Sequence, residues 1–431
     1  MLCVSCCRCS APNWDWALNL DRIAMTIQFG ELTESRPPWC PPSFRAWQKH
    51  AFSLGLLPVI SIAGDRGKST VVRLLDAILQ RAGLRTATWT DLGVEVRNRR
   101  QRGEISGWSM ALNRLAESSI DVAIQELHWS LINTVGLPAS SYPLVGITNL
   151  FGGSDEAHEA AIKGTMRTMA AVHPQGMQVV CGDEFPLIDA AADSACDSIV
   201  TSLSPDTPGL RRHLENGGSG IWLEEKSIKV GTRTDSSSIH AVSAIAFTRF
   251  GASPFLTSAA MSAVGLAMAV GIDQGTISDT LRSFEIEDSI LPGSFNTYQV
   301  RSFAAVVDRV THPAHLKHLV RSVNPGHKRR QISVVGNLDG FAPSVIGEVG
   351  RILGRQSGAV ILHSNPSPER VEAFRRGIAA NDYPPLFAYL PTERRAINRA
   401  LKSARPDDVV LFLTGEDPGP VIRAIRRQVE A

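Results

Sequence analysis

The chain has 431 residues, of which 43% are hydrophobic and 20% are charged, and this composition is typical of a folded globular protein. The length predicts two or three domains. The formal net charge of +2 gives no broad basic field, so the composition argues against a nucleic-acid partner.

The segment 1–50 carries few structural signals. It shows no clear periodicity, and prolines interrupt any helix at Pro37, Pro38, Pro41 and Pro42. Cysteines crowd its start at Cys3, Cys6, Cys7 and Cys9. No second Cys or His pair stands at the spacing of a zinc finger, so free thiols are favoured over a metal site. We predict a poorly structured extension over 1–50 without a secretory signal, and the scattered cysteines beyond it fit a reducing cytoplasm.

The stretch from Pro58 to Leu79 predicts a strand, a glycine loop and a helix in immediate succession. Val59–Ala63 is a short β-branched run, and apolar residues recur at helical spacing from Val71 onward. The loop between them reads Gly64-Asp65-Arg66-Gly67-Lys68-Ser69-Thr70. This order of elements places loop N–H groups and the positive end of a helix dipole around an anion.

The residues of the loop are those that bind a nucleotide. Gly64 and Gly67 let the backbone approach a phosphate. Lys68 supplies a positive charge to the phosphate oxygens, and either Ser69 or Thr70 would ligate Mg²⁺. The full phosphate-loop pattern has a further glycine that this chain lacks, so only the shorter G-x-x-G-K-[ST] form is matched. An ordinary strand-to-helix turn is the alternative, and the flanking strand and helix favour phosphate binding.

Two polar features follow the loop. Ile120–Gln125 is a predicted strand that ends in Glu126. A carboxylate at a strand end beside a phosphate loop is where a Mg²⁺ ligand is expected. Before this strand lie four clustered arginines, Arg97, Arg99, Arg100 and Arg102. They are either a clamp for an anionic substrate or a solvated basic loop, and the pattern leaves both open.

The second half of the chain predicts a buried helix and then a parallel sheet. Phe255–Ile272 has no charged residue and is close to membrane length, but it is rich in small and hydroxyl residues. It is therefore predicted to be a buried helix and not a membrane span. Strands are predicted at 304–308, 331–336, 359–363 and 408–414, and the helices between them indicate a βαβ series.

On these residues the chain, from about Pro58 to its C-terminus, resembles the Mur ligase superfamily of ATP-dependent ligases, which join a carboxylate to an amine. The loop that contains Arg66 resembles the G-x-R-G-K-S loop of the poly-γ-glutamate synthase ligase subunit. Other segments are similar to the C-terminal ligase module of cyanophycin synthetase. The resemblance implies an α/β fold, with a P-loop Mur-ligase-like central domain over 51–292 and a smaller C-terminal Rossmann-like α/β domain over 293–431.

The resemblance also implies roles for single residues. Asn149 matches the asparagine of the family's T-N pair and would lie in the nucleotide site. Asp308 and His312 resemble a family segment whose aspartate contacts the ribose. His158 would serve as a second Mg²⁺ ligand and, with Lys68 and Glu126, as a catalytic residue. Lys163 is the candidate for the family's carbamylated catalytic lysine, and a solvated surface lysine is the alternative.

Two positions depart from the family pattern. Ala259 stands at or near the place of an asparagine that touches the adenine, and Ser294 replaces a hinge arginine that reaches the phosphates. The resemblance implies a ligase that uses ATP and Mg²⁺, forms an acyl phosphate and acts on an amino acid or acidic peptide. A homo-oligomer is compatible with the sequence. The alternatives are a degenerate homologue that binds nucleotide without ligating and a plain NTPase switch, and the trailing α/β domain disfavours the switch.

Overall fold

The computed structural model describes residues 39–150, 155–324, 329–336 and 338–430, with the backbone alone at 155–157. The N-terminal cysteine cluster and most of the predicted extension lie outside these residues. The described part of that extension includes a helix, α1 (Phe44–Ser53), which begins after the N-cap Ser43. Phe44 and Trp47 are buried in the same core as the P-loop helix, so residues 44–50 are an ordered part of the fold.

The first of two sheets has eleven strands: β1 (Val59–Ala63), β2 (Thr86–Thr90), β3 (Gly93–Val96), β4 (Arg99–Arg100), β5 (Val122–Glu126), β6 (Tyr142–Ile147), β7 (Val172–Cys181), β8 (Asp197–Ser202), β9 (Ser219–Glu224), β10 (Ser227–Gly231) and β11 (Ser236–Ala241). Their spatial order is β11-β10-β9-β8-β7-β6-β1-β5-β2-β3-β4. The strands from β9 to β2 pair in parallel, and the hairpins at both edges pair antiparallel.

The helices of this half are α2 (Lys68–Arg81), α3 (Glu104–Ala116), α4 (Trp129–Thr134), α5 (Asp155–Ala170), α6 (Phe185–Ala192), α7 (Pro208–Glu215), α8 (Pro254–Ala269) and α9 (Gln274–Ser283). Helix α8 is buried along nearly its whole length and packs on α2 and on strands of the sheet. The prediction of a buried helix is therefore confirmed. Within the described ranges, no helix is both long enough and apolar enough to cross a membrane.

The second sheet has six strands: β12 (Asn296–Val300), β13 (Phe303–Asp308), β14 (Gln331–Val335), β15 (Ala359–Leu362), β16 (Leu386–Tyr389) and β17 (Val409–Leu413). Its helices are α10 (Pro313–Val323), α11 (Ile346–Gln356), α12 (Pro368–Ala379), α13 (Glu393–Ser403) and α14 (Gly419–Val429). Only β12 pairs antiparallel, so the predicted fold class, an α/β protein with a parallel central sheet and a smaller α/β sheet, is confirmed. The domain boundary near 292–293 stays a prediction.

Strand β1 lies at the point where the chain changes direction across the large sheet. From β1 the chain runs to β2 and returns to β5 on one side, and then crosses to β6 on the other side. In parallel α/β sheets, ligands bind in the crevice at the carboxyl ends of strands at such a point. The glycine loop follows β1, and Glu126 ends β5. The topology therefore brings together two features that lie far apart in sequence.

Helix α8 tests how the core is packed. Leu266 is fully buried, and its Cδ1 would lie 2.9 Å from a Cβ at Gly146, so the helix packs closely on β6. We expect Leu266→Ala to lower the free energy of unfolding by about 2–5 kcal/mol, because it leaves a cavity between α8 and β6. The matched variant Leu386→Ala, on the exposed edge strand β16, should change it by less than about 0.5 kcal/mol. Equal urea midpoints for the two variants would contradict this packing.

Candidate active site

The glycine loop has a backbone that only glycine adopts easily. Gly64 has φ +120° and Gly67 has φ +88°. At Gly64, a Cβ would lie 2.3 Å from Thr148 Oγ1 and 2.9 Å from the backbone oxygen of Asn149. Gly64 is therefore required both by its backbone conformation and by the close approach of the loop to the end of β6.

Asn149 holds the glycine loop in place through both sides of its amide. Its Oδ1 accepts from the backbone N–H of Arg66 at 3.0 Å, and its Nδ2 donates to the Arg66 carbonyl at 2.7 Å. Its own carbonyl accepts from the N–H of Asp65 at 3.1 Å. Asn149 thus shapes the loop, and its predicted direct contact with a nucleotide stays a prediction.

Lys68, Ser69 and Glu126 meet at the carboxyl ends of β1 and β5. Ser69 Oγ donates to Glu126 Oε2 at 2.8 Å, and Lys68 Nζ lies 3.6 Å from Glu126 Oε1. Lys68 Nζ also donates to the Asp65 carbonyl at 2.8 Å. The side chains of Lys68 and Glu126 are 5% and 4% exposed. Burial raises the pKa of Glu126, and the charge of Lys68 opposes that rise.

This cluster fits a Mg²⁺ ion. Neighbouring oxygens of an octahedral Mg²⁺ shell, each about 2.1 Å from the ion, lie about 3 Å apart, and the 2.8 Å between Ser69 Oγ and Glu126 Oε2 is close to that spacing. Of the two predicted hydroxyl ligands, Ser69 contacts Glu126, whereas Thr70 is buried beside it. No group of three or more His, Cys, Asp or Glu side chains suited to a metal occurs among the described residues. A Mg²⁺ ion held by few protein ligands takes its others from water and substrate phosphates.

A buried ion pair joins the glycine loop to the second sheet. Nη2 of Arg66 donates to Asp308 Oδ1 at 2.9 Å and to Oδ2 at 2.8 Å, and Asp308 is 1% exposed. The Arg66 guanidinium also lies 5.0 Å from the ring centroid of Phe255, at the start of α8. Phe255 in turn packs edge-on against Phe295, just after the predicted hinge. The predicted ribose contact of Asp308 therefore requires a carboxylate that already serves Arg66.

A cavity of about 630 Å³, called the large cavity below because it exceeds the second cavity beside the loop, lies over this cluster. One wall comes from the glycine loop and Glu126, and the other comes from the carboxyl ends of β13, β14 and β17. Its carboxylates are Asp65, Asp91, Glu126, Asp308, Asp339 and Glu416, and its cations are Arg66, Lys68 and Arg309. Pro292, Gly293 and Ser294, which lie at the predicted domain boundary, also line it. Its volume suits a cofactor-sized ligand.

A second cavity of about 300 Å³ adjoins the loop at Arg66 and Gly67. Ala259 lines it, together with Phe255 and Asn149. A Cβ built at Gly67 would lie 4.0 Å from the Ala259 Cβ, so position 259 faces the glycine loop. The predicted departure at Ala259 therefore falls beside the loop, where a longer side chain would reach into this cavity.

Besides Gly64 and Asn149, three predicted residues lie outside the large cavity. His158 is exposed, and its Nδ1 contacts the Leu150 carbonyl at 2.9 Å. Lys163 is exposed on α5, which gives no reason for the neutral amine that carbamylation requires. His312 caps α10, because its Nδ1 accepts from the N–H of Ala314. The roles proposed for these residues stay predictions and gain no support from the contacts of their side chains.

The arginine-rich stretch forms the edge of the large sheet. Arg97 and Asn98 both have positive φ and turn the chain between β3 and β4. None of the four clustered arginines lines the large cavity, and all four are exposed, although Arg100 also borders a separate cavity of about 910 Å³ beside α2. Charged side chains on an edge strand protect it against pairing with other chains. The structure therefore favours the solvated basic hairpin over the substrate clamp.

Sequence reasoning missed several residues that line the large cavity, among them Asp65, His128 and His315. Trp129 Nε1 donates to Asp65 Oδ1 at 3.3 Å, and His315 Nε2 lies 3.5 Å from Asp65 Oδ2. Burial raises the pKa of Asp65, and burial lowers the pKa of His315. His128 lies two residues beyond Glu126 at the end of β5, and this position could have indicated that it lines the site.

Substitution of Gly64 tests whether the conformation of the glycine loop is needed for binding. We expect Gly64→Ala to abolish tight binding of ATP, because the added Cβ overlaps backbone as well as the Thr148 side chain. Gly217→Ala is the matched control, since Gly217 has φ +83° but open space around it. That control should cost about 1 kcal/mol of stability and leave binding intact. Unchanged ATP affinity in Gly64→Ala, measured by calorimetry, would contradict the loop assignment.

From the ion pair between Arg66 and Asp308 we derive a separate prediction about the free energy of unfolding. Arg66→Met leaves Asp308 buried without its partner and should lower the free energy of unfolding by about 3–5 kcal/mol. The exposed pair of Arg212 and Asp189 is the control, because Arg212 also lies over an aromatic ring, that of Phe185. Arg212→Met should cost less than about 1 kcal/mol. Similar urea midpoints for the two variants would mean that the buried pair contributes little.

Sequence comparisons find ligases. No protein-family profile matches the chain. Cyanophycin synthetase from Synechocystis sp. is 23% identical over 383 residues, which is 86% of this chain and 43% of that enzyme. UDP-N-acetylmuramoyl-L-alanyl-D-glutamate--2,6-diaminopimelate ligase from Syntrophomonas wolfei is 24% identical over 387 residues, which is 82% of this chain and 72% of that enzyme. The chain thus spans less than half the length of the cyanophycin synthetase that it matches.

Comparison of structures shows the same fold in other ligases. A pseudomurein peptide ligase type C from Methanothermus fervidus superposes with a TM-score of 0.60 at 15% identity, over 86% of this chain and 79% of that one. The MurF ligase from Thermotoga maritima, solved in complex with ADP, gives a TM-score of 0.59 at 12% identity, over 90% and 83% of the two chains. The resemblance drawn from the motifs is confirmed: the sequence relatives are ligases, the chain has the fold seen in Mur-type ligases, and the Mur ligase superfamily fits both findings.

Proposed function

We propose that the protein is an ATP-dependent ligase that joins a carboxylate to an amine through an acyl phosphate. The observation that carries this proposal is the buried cluster of Lys68, Ser69 and Glu126, which faces a cavity whose opposite wall is a second α/β sheet. The names of the relatives support it, because both sequence relatives are synthetases or ligases. The ADP bound to the MurF ligase supports a nucleotide in a fold of this kind.

In the first step, a carboxylate oxygen of the acid attacks the γ-phosphorus of ATP. The bond to the β–γ bridging oxygen breaks, and ADP leaves with that oxygen. Lys68 and the N–H groups of the glycine loop stabilise the charge on the phosphoryl oxygens, and they do so without reorganising. A Mg²⁺ ion held by Ser69 and Glu126 would neutralise phosphate charge as a Lewis acid.

In the second step, the amine nitrogen attacks the acyl carbon. The carbon–oxygen bond to phosphate breaks, the nitrogen loses a proton to form the amide, and the phosphate takes up one proton and leaves as hydrogen phosphate. Water must be kept from the acyl phosphate, because water would compete with the amine. The buried pair of Arg66 and Asp308 would serve this purpose by holding the second sheet over the loop. We propose that residues 51–292 and 293–431 are the domains that close on each other.

We further propose that the acid is an amino acid or an acidic peptide and that the reaction takes place in the cytoplasm. The chain spans only part of the length of the matched synthetase, so the identities of the acid and the amine are not taken from that enzyme. A degenerate homologue is the second candidate. Ala259 and Ser294 favour it, because each replaces a family contact to the nucleotide. The retained cluster of Lys68, Ser69 and Glu126 favours catalysis, since it contains the groups that act on the phosphates.

The test is ADP formation by the purified protein with Mg²⁺, ATP and a panel of amino acids and short acidic peptides, added singly and in pairs. We expect ADP release to require both an acid and an amine. Lys68→Ala and Glu126→Gln should each reduce turnover by about a hundredfold or more. Lys402→Ala and Glu372→Gln, which change exposed residues on α13 and α12, are the matched controls and should keep the parent rate.

Three outcomes separate the candidates. ADP release that needs neither acid nor amine would identify an NTPase. Binding of ATP without turnover in any pair, with Glu126→Gln binding equally well, would identify a degenerate homologue. Turnover that requires both substrates and disappears in Lys68→Ala supports the ligase.

A further inference from the structure

We propose that His128 is a phosphate-contacting residue whose Nε2–H donates to an oxygen of the terminal phosphoryl group. This inference rests on the proposed binding of ATP at the glycine loop. His128 lines the large cavity together with Lys68, Ser69 and Glu126. None of the roles assigned above includes it, although it follows Glu126 by only two residues.

Local contacts fix the orientation of the His128 ring. Its Nδ1 accepts from the backbone N–H of Ser130 at 3.3 Å and lies 2.7 Å from Ser130 Oγ, so the side chain caps the start of α4. The ring stacks on Trp129, with centroids 5.5 Å apart and planes inclined by 30°. Trp129 is itself fixed by its hydrogen bond to Asp65. The Nδ1 edge and one face of the imidazole are therefore positioned by Ser130 and Trp129.

The hydrogen bond from Ser130 also decides which nitrogen of the neutral ring carries the proton. A backbone N–H can only donate, so Nδ1 must offer its lone pair to it. A neutral imidazole has one N–H, which is then on Nε2. With the proton on Nε2 and the Nδ1 lone pair occupied, the ring has no lone pair left for a metal ion or for a substrate proton. His128 is therefore a hydrogen-bond donor toward the cavity.

The charges around His128 indicate what its donor meets. Lys68 and Asp91 line the same cavity as His128. Lys68 is the residue expected at the oxygens of the β- and γ-phosphates. A phosphoryl oxygen is the acceptor that fits these surroundings.

Two substitutions separate this contact from the capping role of the same side chain. His128→Asn keeps an oxygen that can accept from the Ser130 N–H, since Asn is among the best N-cap residues, but it removes the donor at Nε2. His128→Gln places an amide N–H near the position of Nε2. Thermal unfolding of each variant reports whether the fold is retained, so that a loss of binding can be assigned to the contact.

The probes are the Mg²⁺ complexes of ADP and of the β,γ-imido analogue of ATP, with affinities measured by calorimetry. We expect His128→Asn to weaken binding of the ATP analogue by about tenfold or more, because the lost hydrogen bond is to a charged group. Binding of ADP, which lacks the terminal phosphoryl group, should change by less than about threefold. His128→Gln should recover most of the affinity for the ATP analogue.

The inference is overturned if His128→Asn binds the ATP analogue as tightly as the parent, or if it loses ADP and the ATP analogue equally. These results leave the proposed ligase intact, because the parent still binds nucleotide. A parent protein that binds neither nucleotide would overturn the proposed function and this inference together.

Discussion

The buried contact between Arg66 and Asp308 determines the shape of the site. Arg66 comes from the glycine loop and Asp308 from the end of β13, so one ion pair connects the two sheets across the cavity. Asp308 is almost fully buried, and a buried carboxylate requires a partner with good geometry. The pair is therefore weak evidence for added stability, whereas removal of either partner would leave a buried charge without compensation. Any ligand that recruits either side chain must provide the other with a new partner.

The chemistry of the site follows from where parallel strands end. Residues that lie far apart in the chain, such as Lys68, Glu126 and Asp308, meet because each lies at or just after the carboxyl end of a strand. The large sheet contributes the glycine loop and the candidate Mg²⁺ ligands. The small sheet contributes the opposite wall. An acyl phosphate would form between these walls, where neither sheet alone could exclude water.

Local sequence patterns were sufficient to predict the first strand, loop and helix of the large sheet, because their signals follow one another without interruption. They also placed Glu126 correctly at the end of a strand. They were insufficient where long-range contacts decide the outcome. Helix α1 was missed because of the prolines before it, although Phe44, Trp47 and Ala51 have helical spacing. No local pattern indicated that the amide of Asn149 holds the loop, and its contact with nucleotide stays a prediction. The partner of Asp308 is 242 residues away, and no local pattern could have identified it.

The most direct test of the proposed acyl phosphate follows labelled oxygen atoms through the reaction. Once a turned-over acid is identified, it is prepared with ¹⁸O in its carboxylate and incubated with Mg²⁺, ATP and the amine. An acyl phosphate intermediate transfers one carboxylate oxygen to phosphate, so the account predicts one ¹⁸O atom in each released phosphate, measured by mass spectrometry. Amide formation with unlabelled phosphate would contradict it, because the carboxylate oxygen would then have left by another route.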